Sequence, residues 1–178
     1  MRTQIESEKR HKVRMLVAWV CCLALPSGAL TAQDEIGIKR GTEAPEVQIE
    51  DLDGNVADLG VSAGAKPMLI EFWASWCENC EALAPKMEQV QREFGNEVEI
   101  VAIAVGVGQS QRNVRRHLEK HPVDYRFLYD KKGAAVRAYS APTTSYVVIV
   151  DAAGRVAYTG TGGGQDLVAE VKSVLSNN

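Results

Sequence analysis

Two cysteines, Cys77 and Cys80, stand three residues apart where an apolar, β-rich run (67–76) gives way to a helical pattern beginning at Glu78. A cysteine that caps a helix N-terminus faces unpaired backbone N–H groups and the positive end of the helix dipole, and both favour its thiolate. Cys80 falls one turn further in. The spacing therefore makes Cys77 the attacking sulfur and Cys80 the resolving one. Such a pair closes a small ring and reopens it, cycling between dithiol and disulfide by exchange with the sulfurs of a substrate.

The surrounding pattern supplies the elements that must hold this pair. Met68 to Ala74 is a continuous apolar run interrupted once, by Glu71, and reads as a buried central strand. Glu78 to Phe94 reads as a helix, with Leu83, Met87 and Val90 at helical spacing, a stop at Gly95, and a kink expected at Pro85. Val98 to Val105 is a second buried strand, followed by a helix from Gln109 to Lys120, a strand from Tyr125 to Tyr129 and a short helix from Ala134 to Tyr139. Ser145 to Asp151 and Val156 to Thr159 flank a turn at Ala152-Ala153-Gly154, and Gln165 to Leu175 closes the chain as an amphipathic helix. Near the start of the domain, Val47 to Leu59 alternates around Asp53-Gly54, a hairpin signal. Parallel buried strands with helices on both faces and an antiparallel terminal hairpin make an α/β sandwich.

Phe72-Trp73-Ala74-x-Trp76-Cys77-x-x-Cys80, with Pro85 five residues on, resembles the active site of the thioredoxin fold. Over roughly residues 41 to 176 the chain resembles the membrane-facing thiol-disulfide reductases of the TlpA/ResA type, and Gly41-x-x-Ala44-Pro45 resembles their opening and that of peroxiredoxin-like domains. The resemblance implies a thioredoxin fold, a central mixed sheet flanked by helices, with an N-terminal β-hairpin and a central α-β insert at 109–129. It implies a monomer that reduces disulfides in substrate proteins, in cytochrome c maturation or in general thiol maintenance, with electrons from a membrane donor. No bound cofactor is implied, since the Cys77–Cys80 pair carries the electrons itself. Plain thioredoxins have Gly-Pro between the cysteines. Glu78-Asn79 is closer to the Glu-Pro or Val-Asn of periplasmic reductases, which moves the substrate class away from general cytosolic reduction.

The same resemblance assigns roles to individual residues. Glu71 sits where thioredoxins carry a buried acid beneath the resolving cysteine; burial raises a carboxyl's pKa, and the expected role is a general base on Cys80, directly or through one water. The alternative is a strand-edge glutamate facing solvent, which avoids the cost of a charge inside a strand. Pro142 is expected to be cis and to face the active site, leaving the Ala141 backbone to bond an extended substrate segment. Trp76 is expected to shield the disulfide and offer an apolar docking surface, and Trp73 to pack in the core. Glu78 should oppose the Cys77 thiolate. Each pKa unit is about 1.4 kcal/mol, or about 30 mV for a two-electron couple, so a less stabilised thiolate gives a more reducing dithiol. In some relatives an acid follows the second cysteine by three residues; here that position is Leu83.

At the N-terminus, Arg2, Lys9, Arg10, Lys12 and Arg14 lead into an apolar run over 15–25, then Pro26 and small residues around Ala29 and Ala32. This reads as an export signal. Its apolar core of about a dozen residues is short of the roughly 20 that span a membrane, yet extension to Ala32 allows an uncleaved anchor. Either outcome places the domain outside the cytoplasm, periplasmic or otherwise extracytoplasmic. Residues 1–32 are thus read as leader or anchor, 33–43 as a polar linker and 44–178 as the domain. Cys21 and Cys22 lie in the apolar run as plain hydrophobes. Beyond residue 32 only Cys77 and Cys80 remain, which excludes a structural disulfide framework and leaves a catalytic or metal-binding pair. Setting aside the five Lys/Arg and two Asp/Glu of residues 1–32 from totals of 20 and 23 leaves a net charge of −6, which argues against nucleic acid as a partner.

Three other functions compete. A peroxidase normally shows Pro-x-x-x-Thr-x-x-Cys, but Ala74 stands three before Cys77 and no proline stands seven before it. A structural zinc site could draw on Cys77, Cys80, His117 and His121, since the histidines share a helix face; the 36-residue gap is long for it, and solvent-facing histidines are the better reading, so no metal site is assigned. A disulfide-introducing oxidase uses the same dithiol, because motifs do not fix the direction of electron flow. The loops at Val107–Gln109 and Gly160–Gly164 match no phosphate-binding pattern and read as loop geometry, and Lys131-Lys132 as a solvated turn.

Overall fold

The computed structural model describes residues 36–60 and 64–177, so the segment read as leader or anchor lies outside the described residues. Among the described residues no helix is long and apolar enough to cross a membrane.

The run Met-Leu-Ile-Glu-Phe-Trp forms β3 (Met68–Trp73), buried along its whole length. Two shorter strands precede it, β1 (Gln48–Asp51) and β2 (Val56–Asp58), paired as an antiparallel hairpin whose turn uses Gly54 at φ +85°. Out of β3 the chain enters α1 (Glu78–Phe94) and returns as β4 (Glu99–Val105), parallel to β3 with Glu71 beside Ala102. Parallel pairing requires such a crossover. Next come α2 (Gln111–Lys120) and β5 (Arg126–Asp130), then α3 (Ala134–Ala138), the antiparallel pair β6 (Tyr146–Val150) and β7 (Val156–Gly160), and α4 (Leu167–Ser176). The sheet order is β2-β1-β5-β4-β3-β6-β7. The insert thus adds its strand inside the sheet, between β4 and the N-terminal hairpin. This is the thioredoxin fold with the two additions that the sequence implies.

Alternation along β3 decides what lies on each side, because successive side chains of a strand point to opposite faces. Leu69 joins Val147 and Ile149 against Leu83, Met87 and Val90 of α1 and Leu167, Val171 and Val174 of α4. Further along that face Trp73, Ala102, Ala104 and Phe127 enclose Cys80 and Val114 of α2. On the other face Ile70, Phe72, Val101, Ile103 and Val148 cover Ala135 and Tyr139. The helix α1 continues through Pro85, whose ring is exposed on the solvent side, at the loss of one intrahelical bond.

The segment read as a linker belongs in part to the body. Gly41 N–H donates to the Val156 carbonyl (2.7 Å), Val156 N–H to that of Thr42 (2.9 Å), and Ala44 N–H to that of Gly154 (2.9 Å). Ile38 N–H donates to the hydroxyl of the fully buried Tyr146 (3.0 Å). Gly37 lies so close to that ring, at φ +79°, that any side chain there would collide with it. Polar composition suggests a linker, but these ties run through the backbone, which composition does not report. Tyr146→Phe should lower the unfolding free energy by about 1 kcal/mol and speed proteolytic trimming of residues 36–43; urea unfolding and timed proteolysis measure both.

Candidate active site

Cys77 is the N-cap of α1. Its backbone is extended (φ −96°, ψ 104°), its carbonyl accepts from Cys80 N–H (3.0 Å) and Glu81 N–H (3.1 Å), and its Sγ accepts from Cys80 N–H at 3.1 Å. Sulfur here does the work of a capping oxygen, and a thiolate would do it better than a thiol. Cys77 and Cys80 are joined as a disulfide, with Cα atoms 5.2 Å apart. Cys77 is half-buried whereas Cys80 is only 1% exposed, so a partner reaches one sulfur of the pair.

The turn that leads to Cys77 is braced on two sides. On one side the loop after β4 supplies Gln109, a buried side chain whose Oε1 accepts from Ser75 N–H (2.9 Å) and whose Nε2 donates to the Val105 carbonyl (2.8 Å). Tyr129 OH donates to the Gln109 carbonyl (3.1 Å). From the same loop the Val107 carbonyl accepts from Trp76 Nε1 (3.0 Å), and Gly108 at φ +67° lets the backbone pass close to the indole. Trp76 remains 53% exposed and Val107 70%, an apolar pair beside the disulfide. On the other side Gly163 N–H donates to Asn79 Oδ1 (3.3 Å), while Lys86 Nζ donates to the carbonyls of Gly163 (2.8 Å) and Gln165 (2.7 Å). A Cβ at Gly163 would press on Ala82. Both loops read from the sequence as mere connections; nothing in a Gln beside a glycine shows that its amide will be buried against the active-site turn.

Glu71 is buried in the middle of β3, 1% exposed, between Ala102 and Val147 on the neighbouring strands. Its Oε1 has no hydrogen-bond partner among the described residues. Burial pushes its pKa up to about 8. The solvent-facing alternative is thereby set aside. By alternation Glu71 points to the face that carries Trp73 and is covered by α1; burial first, and then the charge of Glu71, pushes the Tyr125 phenol upward. Glu78 is exposed in the first turn of α1, and Leu83 is core.

Pro142 departs from expectation. Among the described residues no peptide bond is cis, and Pro142 is exposed. The reversal before β6 is made instead by two left-handed serines, Ser140 (φ 48°) and Ser145 (φ 59°). Ser145, whose N–H donates to the Phe72 carbonyl (2.7 Å), heads the strand. With the turn built from those residues, the Ala141–Pro142 bond keeps the trans form that X-Pro bonds favour by about 0.5–1 kcal/mol. The Ala141 N–H is itself taken by the Val136 carbonyl (2.9 Å).

A groove of about 410 Å³ runs alongside the disulfide between α1 and the insert, lined by both cysteines, Trp73, Trp76, His117, His121, Tyr125 and Phe127 among others. The histidines do not both face solvent: His121 is exposed, but His117 packs its edge on Trp73 (centroids 5.0 Å). Burial, then the charge of His121, lowers the pKa of His117. Among the described residues no three His, Cys, Asp or Glu side chains are grouped to hold a metal ion, although Cys77, Cys80, His117 and His121 all line this groove.

A family model described as Redoxin matches residues 39–175. The chain belongs to the redoxin family. It is similar to the thioredoxin-like protein YneN of Bacillus subtilis (33% identical over 64% of this chain and 68% of that one) and to the thiol-disulfide oxidoreductase ResA of the same organism (27% identical over 83% and 82%). Among solved structures it resembles a putative thiol:disulfide interchange protein DsbE from Chlorobium tepidum, with a TM-score of 0.69 over 78% of this chain and 99% of that one at 23% identity, a likeness of fold. This redoxin is therefore a thiol-disulfide oxidoreductase of the TlpA/ResA type, and Cys77 and Cys80 form its Cys-x-x-Cys disulfide.

The raised pKa of Glu71 has a definite sign in stability. A carboxyl whose folded pKa of about 8 exceeds its ordinary 4.5 is most favourable at low pH; its contribution declines as pH rises past the unfolded value and levels off above the folded one. Glu71→Gln removes that decline. Relative to wild type it should gain on the order of 3 kcal/mol between about pH 5 and about pH 8. Denaturant unfolding of the oxidised proteins at both pH values checks this; parallel pH profiles would show that the carboxyl is ionised in the fold.

Proposed function

We propose that this redoxin works outside the cytoplasm as a reductant of protein disulfides, in cytochrome c maturation ahead of general thiol maintenance. The observation that carries the reading is the division of the pair: Cys77 reachable at the head of α1, Cys80 buried behind it, and the acid Glu71 buried on the same side of the sheet. The basic opening and apolar run of residues 2–25 support export. In a periplasm held oxidising by other proteins, a reductant needs electrons delivered through a membrane partner. The protein is read as a monomer that carries those electrons in its own dithiol, with no bound cofactor.

In the forward reaction the Cys77 thiolate attacks one sulfur of the substrate disulfide. That S–S bond breaks, the departing substrate sulfur leaves as thiolate and takes up a proton, and Cys77 is left in a mixed disulfide. Cys80 then loses its proton, attacks Cys77 Sγ, and releases the second substrate sulfur, so the substrate is reduced by two electrons and the pair is oxidised. The ionised form of Glu71 is the base in the second step. With a pKa of about 8 it is the minority form at neutral pH, but it is matched to a thiol of ordinary pKa about 8.5. Glu78, an anion in the first turn, works against the Cys77 thiolate and so toward a reducing potential.

Equilibration with glutathione should give a potential near roughly −270 mV rather than roughly −120 mV, and a value above about −160 mV would mean an oxidase. Alkylation of the reduced protein should label Cys77 far faster than Cys80, and Cys80→Ser should accumulate substrates as mixed disulfides on Cys77. Equal labelling would reverse the two assignments. Glu71→Gln should slow the release of trapped substrate by roughly 10²-fold or more while leaving capture intact, measured by quenched-flow with a disulfide peptide.

A further inference from the structure

We propose that the groove beside the disulfide docks an extended segment of the substrate polypeptide, and that it selects segments carrying Lys or Arg close to the cysteine under attack. The inference rests on the exchange function proposed above and names its substrate class.

From the N-cap into α1, Cys77, Glu81, Ala84 and Glu88 stand at i, i+4, i+7 and i+11, one stripe facing the groove. Because Cys77 lines the groove, a substrate joined to its Sγ has its backbone at that end, and the residues flanking the substrate cysteine must lie along the groove or be turned out of it. Ala84, in the middle of the stripe, leaves the width that a longer side chain would fill. The floor is aromatic. Trp73 and Phe127 meet edge to face (5.4 Å, 88°), and Tyr125 stacks on Phe127 (5.7 Å, 20°). Aromatic faces of this kind accept the stem of a long side chain and attract its cation.

Charge selects the occupant. The lining holds three carboxylates, Glu78, Glu81 and Glu88, and no Lys or Arg. Glu88 shares an exposed ion pair with Arg92 (3.6 Å), whereas no ion pair engages Glu78 or Glu81 among the described residues. Burial, then the charge of His121, holds His117 toward its neutral form against a smaller opposite pull from Glu81; His121 is the other imidazole of the lining, and Lys120 stands outside it. A cationic residue entering here meets an excess of carboxylates over cationic side chains above an aromatic floor; an acidic one meets repulsion.

The test uses the reduced full-length protein and three peptides that differ only in Arg, Ala or Glu beside a cysteine carried as a mixed disulfide with 2-mercaptoethanol. At low ionic strength the Arg peptide should be reduced at least about tenfold faster than the Glu peptide, and the gap should narrow several-fold in about 0.5 M salt. Glu81→Lys should remove or invert the Arg-over-Glu ratio. Ala84→Leu should lower the rate with the Arg peptide relative to the rate with hydroxyethyl disulfide in the same variant. Equal wild-type rates for Arg and Glu peptides, or a preference that survives in Glu81→Lys, would overturn the docking proposal alone. Failure of the wild-type protein to reduce hydroxyethyl disulfide would overturn the exchange reading, and docking with it.

Discussion

A helix that begins on a sulfur atom is the constraint on which the rest of the site depends. Helix starts are ordinarily closed by a hydroxyl, amide or carboxylate oxygen. Among the described residues the side chain that receives the Cys80 N–H is Cys77 Sγ, so the atom that satisfies the helix is the one proposed above to react. The arrangement ties reactivity to local folding, since the same turn of backbone that positions the nucleophile also stabilises its charged form.

That turn would be loose if β3 and α1 alone held it, because four residues separate a fully buried strand from the helix. Gln109 on one flank and the Lys86–Gly163–Asn79 contacts on the other make the turn part of a three-loop assembly. Both braces use side chains with several donors or acceptors. Beneath them Glu71 is the opposite case, a carboxyl left without a partner at one oxygen in an otherwise apolar layer. A polar group so placed costs stability unless it stays protonated. It lies in the strand that leads into the turn carrying the disulfide.

The fold was legible because its central elements are strongly periodic. The run at 68–73 and the Leu83, Met87, Val90 spacing each describe one element without ambiguity, and the reading of Glu78 to Phe94 as a helix matches α1 end to end. Glu71 was legible for the same reason, as the one charge in an apolar strand. What the sequence did not disclose depends on backbone geometry or on long-range side-chain contacts. Ser140 and Ser145 in left-handed conformation leave no trace in composition, so a cis Pro142 facing the site was expected where the chain turns on those serines. His117 looked solvated because its helix is polar nearly all round; only the distance to Trp73, set by the packing of the insert, shows otherwise.

The backbone ties between residues 41–44 and the start of β7 have a consequence for how the molecule behaves among its own copies. An open sheet normally presents two edges of unpaired N–H and C=O groups, each a template for strand addition by another chain. Here one edge ends in β2, only three residues long, and the start of the other is overlaid by the chain's own segment at Gly41 and Thr42. In the exchange cycle proposed above, the protein spends part of each turnover covalently joined to its substrate chain. With its edges blunted, the sheet offers that joined chain little to pair with, so the proposed covalent union does not extend into a shared sheet.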